Sequence, residues 1–521
     1  MSEHPIPESP LERPSATRRR LLVLFLGLSL IAAGIAPGGL DAGDASLRFE
    51  AAKSWLDGRG GALPPGIPGA PGKDGNTYNY YGLTQSLIFA SILAPLRAVG
   101  APRPETIAKF VYSVLILPIV FGALGVALVV LLKEVNVSRP FVPAVLWLLL
   151  GTPLLTYARS GQEENLIALA YAIILVSIVR VWQQRSSGWV LLGGAAGFAL
   201  LTRLATLPTI LLAFLVLLPD LWSDLRHRRH LGSVVACGLI VLGAGVTYGW
   251  WNWHRFGSPL ESGYRFGFAR LGVPIFDFAG WPAHIGALLV SPRRGLFWYA
   301  PILLGLPLVA TQWARQQAVL KRLGRFGVVT WCVALLFFGL SGTWDGGSGW
   351  GPRYLVAPLV FLVPLFACLP WSSRLLRALL VVSICVQAAS VVLPGATEDF
   401  IGAVRQDRGE RCDVWTLACS GAWLRPGLAV QALRTTLSTR DLPTLEEGQP
   451  GGAADVLPTS DFRAAHWWPV RAAYRIHVIS PIIGLAISLA FILSGIWLLI
   501  RTLQAERRLA LLPWTGPGPR P

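Results

Sequence analysis

WVLLGGAAGFALLTRLATLPTILLAFLVLLPDL, residues Trp189–Leu221, is an apolar run of 33 residues with one arginine, Arg203, near its middle. A single membrane-crossing helix needs about 20 residues. The run is therefore read as two helices joined at Arg203, each of about 15 residues and about 22 Å long at 1.5 Å per residue. Each half falls short of a hydrocarbon core about 30 Å thick, so the turn at Arg203 is expected below the outer surface, in a depression. An arginine at that depth is costly unless paired or hydrated and is a functional candidate by default; snorkelling to the interface is the plainer alternative. Gly193 and Gly197 form a GxxxG pair suited to close helix packing.

Similar runs recur along all 521 residues. The chain is 53% hydrophobic and only 14% charged, where soluble chains carry about 25% charged residues, and its mean hydropathy is +0.54. One water-facing core cannot hide that much apolar surface, since soluble cores stop growing near ~250–300 residues. The expected fold class is an all-α polytopic membrane protein. A soluble dinucleotide-binding enzyme, a disulfide-rich secreted module and a disordered scaffold are excluded. The net charge of +17 does not signal nucleic acid, because the basic residues sit in short loops between apolar runs and form no stripe interleaved with aromatics.

Residues 1–20 are polar and Pro-rich, end in Arg18-Arg19-Arg20, and read as a disordered cytoplasmic tail before an uncleaved first span, Leu21–Ile35. Further spans are expected near Phe110–Leu132, Phe141–Tyr157, Leu166–Val179, Trp189–Thr202, Leu207–Leu221, Val234–Trp250, Leu296–Ala310, Val328–Leu340, Leu355–Leu369, Leu379–Leu393 and Val478–Ile500, twelve in all with both ends cytoplasmic. The apolar segment Gly82–Ala98 is left out and read as a helix lying at the outer surface or dipping into it. Counted as a span, it would invert every later loop. Left out, the inner loops carry 21 Lys/Arg against 7 Asp/Glu and the longer outer regions 24 against 21, which obeys the positive-inside bias. The bundle then occupies 21–393, with a first outside loop at 41–105 and a second large one at Asn252–Arg294. An outside segment follows at 394–475, and 476–521 hold the last span and a cytoplasmic tail.

Outer loops of this bulk are where chemistry is expected. Asp44 follows the first span at the membrane–water boundary, where a carboxylate can deprotonate a hydroxyl or bind a divalent metal. Before Ala45-Ser46-Leu47 it also suits a helix N-cap. Glu163-Glu164 occupy a very short outside turn and offer a second carboxylate to the same cavity, with a solvated turn as the alternative. Arg293-Arg294, at the outer edge of a span, suit a phosphate or an interfacial anchor beside aromatics. In Trp344-Asp345-Gly346-Gly347-Ser348-Gly349-Trp350-Gly351-Pro352-Arg353 the tryptophans can stack on a sugar ring and Arg353 can bind an anion. The glycines there lack the strand–helix context of a dinucleotide loop, and an interfacial turn competes. Cys412 and Cys419 lie in a polar stretch with no second His or Cys pair to suggest zinc. They can pair if that stretch faces an oxidising compartment.

In this order, from the first span to about residue 360, these pieces resemble the GT-C class of membrane glycosyltransferases, which includes bacterial aminoarabinose–lipid A transferases and protein O-mannosyltransferases. Asp44, Glu50, Lys53 and Leu56 keep the spacing of the family's leading acidic residue and surface helix. Glu164-Asn165-Leu166 matches its acidic residue at the top of an early span, and Leu201-Thr202-Arg203 its Leu/Met-Thr-Lys/Arg turn. Gly72-Lys73-Asp74-Gly75 followed by Tyr78 and Tyr80-Tyr81-Gly82-Leu83, then Ser291-Pro292-Arg293-Arg294-Gly295-Leu296 and Gly351-Pro352-Arg353-Tyr354-Leu355, resemble uncharacterised bacterial members.

The resemblance implies a GT-C-like bundle and a polyprenyl-phosphate-linked sugar donor. It also implies an acceptor hydroxyl, on a lipid, glycan or protein, at the outer face of the cytoplasmic membrane. It makes Asp44 the catalytic base, Glu164 a second site acid and Arg203 a donor-phosphate ligand. Arg293, Arg294 and Arg353 join as phosphate ligands, and Tyr80, Tyr81, Trp344 and Trp350 as sugar contacts. The expected reaction is a single inverting displacement. Leu83-Thr84 stands near where the aminoarabinose branch has a Glu-Lys pair, which leaves the sugar, the acceptor and a divalent metal cofactor open. Two other classes stay in view. One is a transporter or flippase of lipid-linked glycans, which would favour an internal repeat that the chain does not display. The other is a non-catalytic subunit of a glycan assembly complex, in which Asp44 would be dispensable.

Overall fold

A computed structural model describes residues 14–40, 43–135, 137, 141–347, 349–393, 397, 405, 409, 411–438, 467–469 and 481–510. Among them the chain is mainly helical, and the strands are two-residue pieces, Ala70–Pro71 and Thr77–Tyr78, paired antiparallel. Six helices are long and apolar enough to cross a membrane: Pro104–Glu134, Glu164–Trp182, Leu231–Phe256, Ala318–Gly339, Arg374–Val391 and Ile483–Arg507. Leu204–Val216 and Leu218–Arg226, bent by 53°, make a seventh if taken together. The protein is an all-α membrane protein.

The expected layout of twelve uninterrupted spans is revised in four places. Leu207–Leu221 is broken at Leu217, where Leu207–Val216 gives way to Leu218–Arg226 across the 53° bend. Phe141–Tyr157 is split into Val142–Leu150 and Leu154–Tyr157. Leu296–Ala310 becomes Leu296–Tyr299, a 3₁₀ helix Pro301–Val309 and Ala310–Trp313. Leu355–Leu369 becomes the 3₁₀ turns Arg353–Leu355 and Ala357–Leu362 and the short helix Val363–Phe366. Pro153, Pro301, Pro307, Pro358 and Pro364 lie at or in these breaks. Proline lacks the N–H that an α-helix needs and clashes with the preceding turn; hydropathy sums the run and passes over the break. The first helix is Pro14–Ile35, so Arg18–Arg20 are helical and do not belong to the disordered tail expected over 1–20. Arginine is a good helix former, and it extends the apolar helix backwards. Residues 1–13 lie outside the described residues, as does most of 394–475.

Glu164–Trp182 is the central helix, with most of its side chains buried against Leu117–Glu134, Ser187–Thr202 and the turn Ala357–Leu362. Tyr171 meets Phe361 there, ring centroids 5.0 Å apart. Pro14–Ile35 packs on the last helix, Pro481–Ala510, along glycines: a Cβ on Gly34 would meet Ile492, and one on Gly495 the carbonyl of Gly27. Ser488 Oγ donates to Gly34 O at this contact. The GxxxG pair behaves as expected, with Gly193 against the Cys237 backbone and Gly197 against Ala244.

The long loops converge at one end of the bundle. Gly43–Leu56 and Thr84–Ala98 pack on each other through Phe49 and Phe89, edge to face at 5.3 Å. The 15 residues of Thr84–Ala98 extend about 22 Å, too short for an ordinary span. Leu83 N donates to Leu201 O (2.7 Å), and a Cβ on Gly82 would collide with the Leu201 and Thr202 carbonyls. Buried Arg255 donates to the carbonyls of Asn79 and Tyr81. Asp277 N donates to Leu340 O, and Arg293 N to Val414 O. The first loop is thereby pinned over the point where the chain turns at Arg203.

Candidate functional site

Asp44 sits in the first turn of Gly43–Leu56, one residue inside the helix, not at the N-cap expected of it. Arg48 follows one turn later on the same face and is buried. Glu163 and Glu164 stand at the start of the central helix, where the helix dipole favours negative charge. Arg203 is in extended backbone (φ −155°, ψ 125°) between Ser187–Thr202 and Leu204–Thr206. The 33-residue apolar run therefore breaks where the charge interrupts it. Arg353 opens the turn after Pro352.

These residues form one network. Arg203 Nη2 lies 2.5 Å from Glu163 Oε1 and 2.8 Å from Glu164 Oε1. Arg353 Nε donates to Glu164 Oε1 at 2.7 Å, and its Nη1 is 2.7 Å from Asp44 Oδ2. Arg48 Nη1 reaches Glu163 Oε2 at 2.6 Å, and Arg353 Nη2 stands 3.7 Å from that oxygen. Three carboxylates and three guanidiniums cancel, which is the condition for holding so many charges out of water. Two rings close the sides. The Tyr81 hydroxyl donates to Asp44 Oδ1 (2.5 Å), and Arg48 lies 4.1 Å over the Tyr81 ring. Arg203 lies over Tyr354 at 5.4 Å.

The members differ in access. The Asp44 side chain keeps 26% of its surface exposed, against 1% for both glutamates. Asp44 is thus the carboxylate at the rim. Burial alone would raise its pKa, but Arg353 and Arg48 outweigh burial and hold it below the ordinary range. Glu163 is treated likewise, burial being overcome by Arg203, Arg48 and Arg353, so it stays well below its usual value. Burial and the Asp44 charge push the Tyr81 hydroxyl well up, so it remains a donor. Glu164 Oε2 is buried with no hydrogen-bond partner among the described residues.

The donor set does not fit a divalent metal. Among the described residues no group of three or more His, Cys, Asp and Glu side chains could hold an ion. Asp44, Glu163 and Glu164 are each engaged by guanidiniums instead.

The other residues singled out in the sequence are distributed differently. Tyr80 lies between Tyr81 (4.8 Å) and Tyr264 (5.4 Å), its ring tilted about equally to both, beside the network. Trp344 stacks on His284 at 4.9 Å. Trp350 is no sugar platform: it is buried, its edge contact with Tyr299 is 4.7 Å, Arg425 covers its face at 4.6 Å, and its Nε1 donates to Gln387. Arg293 and Arg294 serve the loops, Arg293 Nη1 donating to Cys412 O and Arg294 Nη1 to Gly349 O (2.7 Å). Cys412 and Cys419 are joined in a disulfide, and Ser420 Oγ donates to Pro292 O beside it. The strap so formed supports the Arg293–Arg294 turn. Arg48 and the bridging role of Glu163 were not read from the sequence; a basic residue four positions after Asp44 on one helix was the available signal.

No family model matches the chain. No curated protein matches it either. The structure is similar to that of ArnT from Cupriavidus metallidurans bound to undecaprenyl phosphate, at 15% identity and a TM-score of 0.43, over 95% of this chain and 77% of that one.

Proposed function

We propose that the protein is a GT-C-type membrane glycosyltransferase that moves a sugar from a polyprenyl-phosphate-linked donor to an acceptor hydroxyl at the outer face of the membrane. The observation that carries this reading is the meeting of Asp44, Glu164, Arg203 and Arg353, from four separate segments, in one partly open network. Each was marked in the sequence by its own motif.

The chemistry follows from the charges. Transfer needs a base for the acceptor proton and cations for the departing phosphate. Asp44, at the rim, is the base. Arg353 bridges Asp44 and Glu164 in the resting arrangement. An incoming phosphate competes for that guanidinium, which suits phosphate as well as carboxylate. Drawing Arg353 towards the donor removes the main cation beside Asp44 and makes Asp44 more basic as the donor arrives. The acceptor oxygen then attacks the anomeric carbon, its proton passes to Asp44, and the bond from that carbon to the phosphate oxygen breaks. The lipid phosphate leaves against Arg353 and Arg203. Glu164 Oε2 accepts a hydrogen bond from a sugar hydroxyl, and Tyr80 with Tyr264 offers the ring surface. Arg293, Arg294 and Trp344 are assigned no step.

The test is transfer of labelled sugar from a panel of polyprenyl-phosphate donors by purified protein, wild type against Asp44→Asn. Turnover by wild type and its loss in a folded variant that still binds donor support the reading. Equal turnover in both removes Asp44 from the chemistry. Movement of a lipid-linked glycan across vesicles without transfer would replace the enzyme with a flippase.

A further inference from the structure

The end of the bundle away from the network carries a second feature. Ser187–Thr202 runs from Trp189 to the turn at Arg203, so Trp189 marks the far end. There Trp189 Nε1 donates to Asp224 Oδ2 (2.8 Å), which ties down the short helix Leu218–Arg226. That helix is bent by 53° from Leu204–Val216 and is too short to cross a membrane.

Its two faces are unlike. Asp220 and Asp224 point inward, Asp224 buried on Trp189 and Asp220 3.9 Å from Arg322. Leu218, Trp222 and Leu225, at i, i+4 and i+7, are exposed, Trp222 by 70%. They continue a stripe of exposed Leu211 and Leu215 on the preceding helix, so one apolar medium covers both sides of the bend. Arg226, His227, Arg228 and Arg229 follow at once, all exposed, in a tight turn where Arg228 and His230 adopt positive φ. Arg322, half-exposed, adds a cation from the start of the helix Ala318–Gly339.

An apolar edge ending in a basic turn is the pattern of a helix lying in the plane of the interface, with cations at headgroup level. We propose that the elbow 218–230 is a binding site for anionic phospholipid, the acyl region covering Leu218, Trp222 and Leu225 and the phosphate held by Arg226, Arg228 and Arg229. The site lies at the opposite end from Asp44 and does not depend on the transferase reading.

The experiment uses the full chain, stripped of lipid in neutral detergent, offered phosphatidylglycerol or phosphatidylcholine, and passed through size exclusion before the retained lipid is measured. Wild type is expected to retain phosphatidylglycerol preferentially. R226Q/R228Q/R229Q is expected to bind it about 100-fold more weakly, about 5-fold for each arginine, with phosphatidylcholine unchanged. R226K/R228K/R229K, which keeps the charge, retains it. Undiminished phosphatidylglycerol on the Gln variant, or equal retention of both lipids by wild type, overturns the proposal. Should the Gln variant fail to fold, wild type in about 1 M salt decides, because a headgroup contact is screened there: loss of the lipid supports the site and full retention overturns it.

Discussion

Glu163→Gln isolates the charge balance of the network. Glu163 lies 2.5 Å from Arg203, 2.6 Å from Arg48 and 3.7 Å from Arg353, and is 1% exposed. At an effective dielectric of about 20, a unit pair at 4 Å is worth about 4 kcal/mol, and desolvation cancels much of that. Neutralising Glu163 leaves Arg48 buried without a carboxylate at these distances and leaves Arg203 and Arg353 to share Glu164. Breaking one partner of a buried ion pair costs about 3–5 kcal/mol. For a chain of 521 residues, whose unfolding entropy is about 1.1 kcal/mol/K, that corresponds to a fall of roughly 3–5 °C in melting temperature. The assay is thermal unfolding in detergent read by a thiol-reactive dye, since Cys237 and Cys368 are buried thiols outside the disulfide. Asp57→Asn, at a more exposed pair with Arg97, is the control and should shift by no more than about 1 °C. The pH dependence has a definite sign. The Glu163 pKa is depressed in the folded state, so its contribution is full above the ordinary value of 4.5 and drains as the pH falls through the lower folded value. The gap between wild type and Glu163→Gln should therefore narrow as the pH is lowered from about 6 towards 3. A Glu163→Gln protein with unchanged helical content that melts within about 1 °C of wild type at pH 7 would refute the charge-balance reasoning.

Other outcomes follow from single contacts. Tyr81→Phe removes the donor to Asp44 Oδ1, one of the groups that hold the Asp44 pKa down; the acidic limb of the pH–rate profile should therefore move to higher pH, as read from steady-state transfer across pH. Arg353→Lys cannot bridge Asp44 and Glu164 together, since an ammonium is a point charge; transfer should drop by at least about 100-fold, measured in the same assay. Gly82→Ala drives a methyl into the Leu201 and Thr202 carbonyls and should lower the melting temperature and transfer together, by lifting Tyr81 from Asp44. Unfolded and alkylated without reductant, the chain should take label at Cys237, Cys332, Cys368 and Cys385 only, with Cys412 and Cys419 added after reduction, as read by mass spectrometry.

Much of the site was legible because charges are rare in apolar sequence. Arg203 stood out as the one cation in a run too long for a single span, and the backbone turns there. Asp44, Glu164 and Arg353 were marked by short motifs at segment ends, where the bundle brings them together. Arg48 escaped notice because a basic residue on a polar surface helix looks solvated; its burial depends on Glu163 and Tyr81, which are remote in sequence. Trp350 misled for the converse reason. Beside glycines it reads as an exposed platform, but Tyr299, Gln387 and Arg425 enclose it through contacts that no local pattern encodes. The broken spans reflect the same limit, since hydropathy weighs side chains whereas the proline breaks act through the backbone.

The most direct measurement is an experimental structure of the full chain with a polyprenyl phosphate bound. The account predicts that the phosphate lies within hydrogen-bond distance of Arg353 and Arg203, with the Arg353 guanidinium moved off Asp44 and the Asp44 carboxylate open to the acceptor side. A phosphate held elsewhere, with Arg353 still joined to both Asp44 and Glu164, would contradict it.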